Sequence, residues 1–460
     1  MVNRLAPLLW LASCSVSTHL GGKYLKRLIP MLRSYLTGDV AVRALGNRTE
    51  APPLFMTIVF ASHSPFDECL VVGSHHLASA LAEAGHKVWH IGPPVTPVHV
   101  ALAIKPKYRS RLLKSLRAPE QLQDNLIAMD PFSAIPWQVA KWTIPYGNLF
   151  VLSSNIATKL AKAGGLAEID VLLVDDPRFS GLEKLLKPRA VFYRATDLYA
   201  EMKEDPKLTT AERQLLQHCS GIIGTSQPVL LHLMGLKPGL PSLQLENGVD
   251  WGHFSKPMEE PEELKGIPHP RVIYVGAVDF RFDYDVLGYM AEQIPEAHFV
   301  IIGPGKLNHV RDLGRSNIHI LGPKPYQLIP GFLQYSDIGI LPLVDNLANS
   351  GRSPMKLYEY GTAGLPVVAR YTQELTRRAE SFVSLFSSKE EAVERVINIL
   401  KAKVDRKAIS ESCKVHSWAN KISTLVEFIL KTAFSPKASN EFLSDPENQP
   451  PMIKVHAASE

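Results

Sequence analysis

The feature that most constrains the fold is a series of short apolar segments, each followed by a loop and a helical pattern. In the first half of the chain the segments are 57–61, 87–91, 171–174, 190–193 and 221–225, and in the second half they are 271–276, 298–303, 318–322, 338–342 and 366–369. Apolar strands that alternate with helices are typical of parallel sheets covered on both faces. The sequence therefore predicts the α/β class, with two doubly wound parallel sheets in tandem.

The organisation around these two units follows from composition. A Pro- and Glu-rich stretch from Lys256 to Pro270 separates them, and a chain of 460 residues suffices for two or three domains. Ligand sites favour clefts between domains and the carboxyl ends of parallel strands, so the site is expected between the two units. The predicted segments are a domain at 56–250, a second domain at 251–411, a closing helix at 412–434 and a disordered tail at 435–460.

Residues 1–55 differ in pattern from the rest of the chain. An apolar run from Leu5 to Ser13 follows Arg4 and imitates a short signal sequence. Residues 24–29 are basic and apolar, which suits a membrane surface. The alternative is a leader ahead of a true start at Met56, since a strong strand begins directly after that residue.

Composition excludes several classes of protein. Apolar residues make up 45% of the chain and charged residues 21%, which argues against a disordered chain. No apolar run approaches 18 residues, which argues against a polytopic membrane protein. A net charge of +5 without a recognised module argues against nucleic-acid binding. The widely spaced cysteines predict neither a zinc site nor a disulfide scaffold and fit a reducing compartment; they are Cys14, Cys69, Cys219 and Cys413.

The stretch from Ser353 to Ala369 holds the residues best suited to an anionic ligand. A loop rich in Asn, Ser, Gly and Arg leads into a helix with Lys356 in its first turn, and Glu359 follows on the same face. The free N–H groups at such a helix start suit a diphosphate, which Lys356 can neutralise. The carboxylate of Glu359 can accept the hydroxyls of a ribose. The alternative is an ordinary surface Lys–Glu pair.

This stretch resembles the donor-binding motif of the group 1 glycosyltransferases, which have the GT-B fold of two Rossmann-like domains facing a central cleft. Residues 247–250, 275–278, 302–305 and 335–342 resemble the interdomain motif, two phosphate loops and a further motif of that superfamily. The resemblance implies that a UDP-sugar binds as substrate, without a cofactor or a metal. The donor-binding residues that it implies are Gly276, Ala277, Val278, Gly303, Ser353, Met355, Lys356 and Glu359.

A narrower resemblance lies in the first domain. Residues 192–197, together with Ser62 and His63, are similar to the bacterial membrane-associated β-glucuronosyltransferases of xanthan-type polysaccharide synthesis. The resemblance implies that Asp197 is the general base of an inverting transfer, and that Ser62, His63 and Arg194 lie on the acceptor side of the cleft. The alternative for Asp197 is a cap of the helical pattern that follows it.

The expected function is therefore transfer of a sugar, plausibly glucuronic acid, from a UDP-sugar to a lipid-linked or polysaccharide acceptor. Arg352 would pair with the carboxylate of a uronate donor. Retaining group 1 enzymes often carry two glutamates separated by seven residues, and Gly351 stands at the first of those positions, which favours inversion. A retaining hexosyltransferase, a sugar-nucleotide epimerase and a catalytically inactive GT-B subunit remain open as alternatives.

A basic and aromatic band in the first domain points to a membrane partner. Its cations lie between Lys105 and Arg117, and its aromatic residues are Trp137, Trp142, Tyr146 and Phe150. Such a band suits docking on an anionic membrane, and the resemblance implies the cytoplasmic face of the cytoplasmic membrane. The alternative is a solvated basic loop beside core aromatics.

Three other pairs of residues are expected to have ordinary structural roles. Asp283 and Asp285 form a DxD motif, which binds a metal in the other large glycosyltransferase fold, but here Asp283 is expected to cap a helix. Asp175 and Asp176 follow a strand and are expected to cap a turn, with lining of the cleft as the alternative. His75 and His76 are expected to lie on a helix surface.

Overall fold

The structure is a computed structural model and describes residues 55–66, 71–142, 148–166 and 168–434. Within these ranges the chain forms two α/β domains, each built around one sheet. The predicted leader up to residue 54, the tail at 435–460, Cys69 and Tyr146 lie outside the described residues.

The first domain contains an eight-stranded sheet with the order β3-β4-β2-β1-β5-β6-β7-β8. All of its neighbouring strands are parallel except β3 and β4. The strands are β1 (Thr57–Ala61), β2 (Lys87–Ile91), β3 (Glu120–Gln123), β4 (Leu126–Met129), β5 (Val171–Val174), β6 (Ala190–Ala195), β7 (Gly221–Gly224) and β8 (Ser242–Gln244).

The second domain contains a six-stranded, all-parallel sheet with the order β11-β10-β9-β12-β13-β14. The strands are β9 (Arg271–Val275), β10 (His298–Ile302), β11 (Ile318–Gly322), β12 (Ile338–Leu341), β13 (Val367–Arg370) and β14 (Val383–Phe386).

Helices cover both sheets, and none of the described helices combines the length and the apolar character needed to cross a bilayer. Those of the first domain are α1 (Gly73–Glu83), α2 (Pro97–Ala101), α3 (Pro106–Ser115), α4 (Trp137–Ala140), α5 (Asn148–Leu152), α6 (Ile156–Lys162), α7 (Leu182–Leu186), α8 (Tyr199–Lys203), α9 (Lys207–Leu216) and α10 (Gln227–Leu236). The remaining helices are α11 (Trp251–Ser255), α12 (Glu262–Lys265), α13 (Tyr284–Gln293), α14 (Leu307–Arg311), α15 (Ile329–Gln334), α16 (Leu347–Ser350), α17 (Met355–Thr362), α18 (Gln373–Arg378), α19 (Lys389–Lys401), α20 (Arg406–Ser412) and α21 (Trp418–Ala433).

The predicted α/β class with two parallel sheets is confirmed, and each predicted apolar segment is a strand. Strands β3, β4, β8 and β14 were not predicted. Three of them, β3, β8 and β14, lie at a sheet edge, and β3 and β8 are largely polar, so they lack the continuous apolar run of a central strand.

The strand order reverses next to β1 in the first sheet, because β2 lies on one side of it and β5 on the other. The second sheet reverses in the same way at β9, between β10 and β12. The carboxyl ends of strands at such a reversal form a crevice, and loops from these positions bind ligands in open α/β sheets.

The closing helix differs from the prediction in its start. The chain forms a short helix at Arg406–Ser412, then a 3₁₀ turn, and α21 begins only at Trp418. The extended residue Ser417 bridges to Val249, where the chain leaves the first domain, and this pairing interrupts the helix. Helix α21 packs back onto the first domain, whose core it shares through Trp418, Ile422, Leu425 and Ile429.

Candidate active site

The predicted Lys–Glu pair opens α17 in the second domain. The ammonium of Lys356 donates to Oε2 of Glu359 at 3.0 Å. Glu359 is 1% exposed, and its other carboxylate oxygen, Oε1, has no hydrogen-bond partner in the described part of the chain. A buried polar atom left unpaired is uncommon, and a hydroxyl of a ligand could donate the hydrogen bond that it lacks. The pair is therefore not an ordinary surface ion pair.

The two predicted phosphate loops cross at van der Waals contact. Gly303 has a φ of +142°, and a Cβ atom on it would lie 1.8 Å from the carbonyl oxygen of Gly276. Gly305 has a φ of +130°, and its Cβ would lie 2.1 Å from the carbonyl oxygen of Val278. Both positions therefore require glycine, for the close approach and for the left-handed backbone.

Hydrogen bonds between the two loops occupy two of the three backbone N–H groups in residues 276–278 of the first loop. The N–H of Gly276 donates to Ile302 at 2.9 Å, and the N–H of Val278 donates to Pro304 at 2.8 Å. Among the described residues, the N–H of Ala277 has no such acceptor. Of the three residues predicted to bind the donor through this loop, only Ala277 retains a backbone donor for a phosphate oxygen.

Ser353 and Met355 lie at the start of α17, where the second domain meets the first domain. The hydroxyl of Ser353 accepts hydrogen bonds from the backbone N–H of Asn247 at 3.1 Å and from Arg378 at 2.8 Å. Met355 packs against the core of the first domain. Both predicted donor-binding residues therefore link the two domains. Asn247, which bonds to Ser353, was predicted only as part of the interdomain motif 247–250 and not as a site residue.

Asp197 follows β6 in the first domain and faces cations of the second domain. Its charge acts electrostatically on both Arg281 and Arg352. Helix α8 begins at Tyr199 with Leu198 as its N-cap, so the alternative of a capping role for Asp197 is wrong. Its side chain accepts one hydrogen bond, from the Thr196 hydroxyl at 3.3 Å.

Two arginines of the second domain complete this face. Arg281 is held by Asp279 through two hydrogen bonds of 2.8 and 2.5 Å. Arg352 has no hydrogen bond from its guanidinium within the described ranges, and burial lowers its pKa while Asp197 acts in the opposite direction. Arg281 was not predicted from the sequence, although its place directly after a phosphate loop was a usable signal.

Two of the three predicted acceptor-side residues are buried beneath the cleft. Ser62 is fully buried, and its N–H donates to Ile91 at 2.9 Å. Arg194 is also fully buried; it pairs with Asp175 at 3.2 Å and donates to Asn247 at 2.8 Å. The expectation that Ser62 and Arg194 line the cleft is therefore corrected, because both point into the domain. His63 remains 28% exposed.

The adjacent aspartates Asp175 and Asp176 and the DxD aspartate Asp283 have different structural roles. Asp283 caps α13 by accepting from the N–H of Val286 at 3.0 Å, as predicted. Asp176 caps a 3₁₀ turn by accepting from the N–H of Arg178 at 2.9 Å. Asp175 caps nothing, since its carboxylate is the buried partner of Arg194. No group of three or more His, Cys, Asp or Glu side chains in the described residues could hold a metal ion.

The histidines of α1 are not on its surface, which corrects that expectation. His75 is 3% exposed and packs against Phe66 and His90. His76 stacks on Trp418 with ring centroids 5.6 Å apart and contacts the hydroxyl of Tyr326 at 3.3 Å. The helical pattern could not show that α1 is covered by α21, which comes from the far end of the chain.

The buried histidine predicts a pH-dependent stability. Burial lowers the pKa of His75 from 6.5 to about 4, so the unfolded chain binds more protons between these values. We expect the contribution of His75 to the free energy of unfolding to fall by about 3 kcal/mol as the pH drops from about 6.5 to 4. Urea unfolding at several pH values measures this, and H75F should flatten the slope whereas H309F, at an exposed position, should not. Equal slopes for wild type and H75F would contradict the prediction.

Comparison with known proteins agrees with this geometry. Residues 269–402 match the family model described as "Glycosyl transferases group 1". Sucrose-phosphate synthase from Thermosynechococcus elongatus has a TM-score of 0.64 and 14% identity, covering 82% of this chain and 98% of that one. HepE of Anabaena in complex with UDP and glucose has a TM-score of 0.58 and 12% identity, covering 82% and 100%.

The chain has the GT-B fold. The GT-B likeness covers both domains, and the match to the group 1 glycosyltransferase model lies within the second domain and its flanking residues. A protein of Bacillus subtilis (strain 168), described as the teichuronic acid biosynthesis glycosyltransferase TuaH, is 25% identical over 248 residues. That alignment covers 50% of this chain and 62% of the relative, so it spans less than two thirds of the relative's length.

Proposed function

We propose that this GT-B protein is a glycosyltransferase that moves a sugar from a UDP-sugar to a lipid-linked or polysaccharide acceptor. The observation that carries the proposal is the Lys356–Glu359 pair in the region that matches the group 1 model. Its Glu359 is buried, with one carboxylate oxygen unpartnered among the described residues. Lys356 and the N–H of Ala277 would bind the diphosphate, and Glu359 the ribose hydroxyls. No cofactor or metal is part of the proposal.

We propose that the reaction inverts the anomeric carbon. The acceptor oxygen attacks this carbon, its proton passes to Asp197, and UDP leaves from the opposite face with its charge stabilised by Lys356. Gly351 supports this assignment, because a Cβ atom there would lie 3.0 Å from the Leu198 side chain. The hydroxyl of Ser226 also donates to the Gly351 carbonyl at 2.7 Å. A side chain at position 351 would therefore crowd Leu198 of the first domain.

We propose glucuronic acid as the transferred sugar. Arg352 supplies a guanidinium that has no hydrogen-bond partner among the residues that the structure describes, and it lies on the face that Asp197 approaches from the other domain. Arginine pairs with carboxylates through two parallel hydrogen bonds, which a neutral hexose cannot accept in the same way. The proposal is in line with the relative named for teichuronic acid biosynthesis.

Calorimetric titration with UDP, UDP-glucuronate, UDP-glucose and UDP-N-acetylglucosamine tests the donor site. We expect K356A to weaken the binding of every UDP ligand by about 10- to 100-fold, because a charge-assisted contact to phosphate is lost. The matched control is K265A, which breaks a Lys–Glu pair of the same spacing on the surface of this domain. Absence of UDP binding to the wild type would refute the donor site.

In the same titration, R352A should lose the preference for UDP-glucuronate and keep its affinity for UDP-glucose. A wild type that prefers a neutral sugar would move the proposal to a hexosyltransferase. An R352A variant that keeps the glucuronate preference would overturn the role of Arg352.

We also propose that the first domain docks on an anionic membrane, on the cytoplasmic face. The aromatic residues of the predicted band differ in exposure: Trp137 and Phe150 are buried in the core, whereas Trp142 is 69% exposed. Ile104, between α2 and α3, is 89% exposed. Lys105, Arg109 and Arg117 are exposed nearby in the chain. Further exposed apolar side chains of the same region are Val98, Leu102, Leu113, Leu116, Val139 and Leu152.

Co-sedimentation with vesicles tests this docking. The wild type should bind vesicles containing phosphatidylglycerol, and binding should decrease with salt because the electrostatic part is screened. I104D should weaken binding at least tenfold through the lost apolar insertion, whereas L231D, at an exposed leucine of α10, should not. Equal binding by I104D and L231D would exclude this surface.

A further inference from the structure

His63 stands at the reversal of strand order in the first sheet. It follows β1, and Asp175 follows the neighbouring strand β5. The Nδ1 atom of His63 lies 3.3 Å from the hydroxyl of Ser74 and 3.7 Å from the Asp175 carboxylate. Ser74 and Asp175 are fully buried, whereas His63 is 28% exposed.

The hydrogen bonds around His63 fix which ring nitrogen carries the proton. The hydroxyl of Ser74 donates its single hydrogen to the Asp175 carboxylate. The contact between Ser74 and His63 must therefore be a hydrogen bond that Nδ1–H donates to the hydroxyl oxygen. In neutral His63 the lone pair is then on Nε2, which has no hydrogen-bond partner within the described residues.

The rest of the network makes this arrangement rigid. Both guanidinium contacts of 3.2 Å from Arg194 hold the Asp175 carboxylate, and the other end of the same guanidinium donates to Asn247. A carboxylate held in this way orients the imidazole, as in sites where a second group fixes the tautomer of a histidine. The nearby ionisable groups are His75, His90, Asp175 and Asp176, which act on His63 electrostatically or by contact.

We propose that His63 is an acceptor-binding residue, whose Nε2 accepts a hydrogen bond from a hydroxyl of the sugar acceptor. Ser74 and Asp175 are positioning residues that hold its Nδ1–H form. A lone pair on a neutral ring selects a hydrogen-bond donor such as a sugar hydroxyl over an anionic group, which has no hydrogen to donate. The inference rests on the proposed glycosyltransferase function and adds a second first-domain contact beside Asp197.

The tautomer is measurable without any ligand. We expect long-range ¹H–¹⁵N spectra of ¹⁵N-histidine-labelled protein to show one imidazole in the Nδ1–H form that disappears in H63Q. In S74A this signal should move toward the Nε2–H form, which is the usual form in water. A His63 signal in the Nε2–H form in the wild type would overturn the proposal, and this result does not depend on enzyme activity.

The contact itself is tested by transfer of labelled glucuronate to octyl β-D-glucoside as the acceptor probe. H63F should raise the KM for the probe about tenfold or more, as expected for a lost substrate hydrogen bond, with UDP affinity unchanged. S74A should raise it by a smaller factor, and H218F, at an exposed histidine, should not change it. An unchanged KM, or a loss confined to kcat, would overturn the proposal. Absence of transfer by the wild type would instead count against the proposed function, while the tautomer result would stand.

Discussion

D197N is expected to lower kcat for sugar transfer by about 10²- to 10⁴-fold, because the amide cannot take the proton of the acceptor hydroxyl. The substitution keeps the size of the side chain, so affinity for UDP should change little. Transfer of labelled sugar to octyl β-D-glucoside measures kcat, and calorimetry with UDP measures donor binding in the same preparation.

Two observations separate a base from a merely structural carboxylate. The pH profile of kcat should lose its acidic limb in D197N if Asp197 accepts the proton. D312N, at an exposed position of the second domain, is the control and should match the wild type. A retaining enzyme would give a product with the donor's anomeric configuration and would tolerate D197N, and either result would refute the inverting mechanism.

G303A is expected to destabilise the protein by about 4 kcal/mol or more, among the largest effects of a single substitution. The added methyl group would lie 1.8 Å from a backbone oxygen of the other loop, and a side chain at this φ is strained as well. Since backbone cannot yield as a flexible side chain can, the two phosphate loops would separate. Urea unfolding measures the stability, and UDP binding reports on the loops.

The control for this prediction is G314A. Gly314 also has a positive φ, of +62°, but a Cβ atom there would meet nothing within 4 Å. G314A should therefore cost only the backbone strain, about 1 kcal/mol. If G303A is no more destabilising than G314A, the close crossing of the loops is wrong.

The sequence predicts the sheets well because their central strands are buried on both faces and read as continuous apolar runs. The Lys356–Glu359 pair is predictable for a similar reason, since its spacing places both side chains on one helix face. Local patterns of this kind depend on neighbours in the chain. They do not depend on how the two domains meet.

The sequence does not show how deeply a given side chain is buried within its domain. Ser62, Arg194 and His75 lie beside the carboxyl edge of the first sheet, yet other parts of the fold cover them or take their hydrogen bonds. Arg194 reaches Asn247, more than fifty positions away, and α1 is covered by α21 from the opposite end of the chain. Such long-range coverage converts an expected surface residue into a buried one.

The packing of α21 also sets an order of events during synthesis. The first domain needs Trp418, Ile422, Leu425 and Ile429 for its core, but these residues leave the ribosome only after the whole second domain. The second domain can therefore complete its core before the first domain does, because its sequence lies between the two parts of the first domain. The segment from Met56 to Asp250 emerges early and must wait with apolar surface uncovered, so expressing it alone would yield an unfinished core.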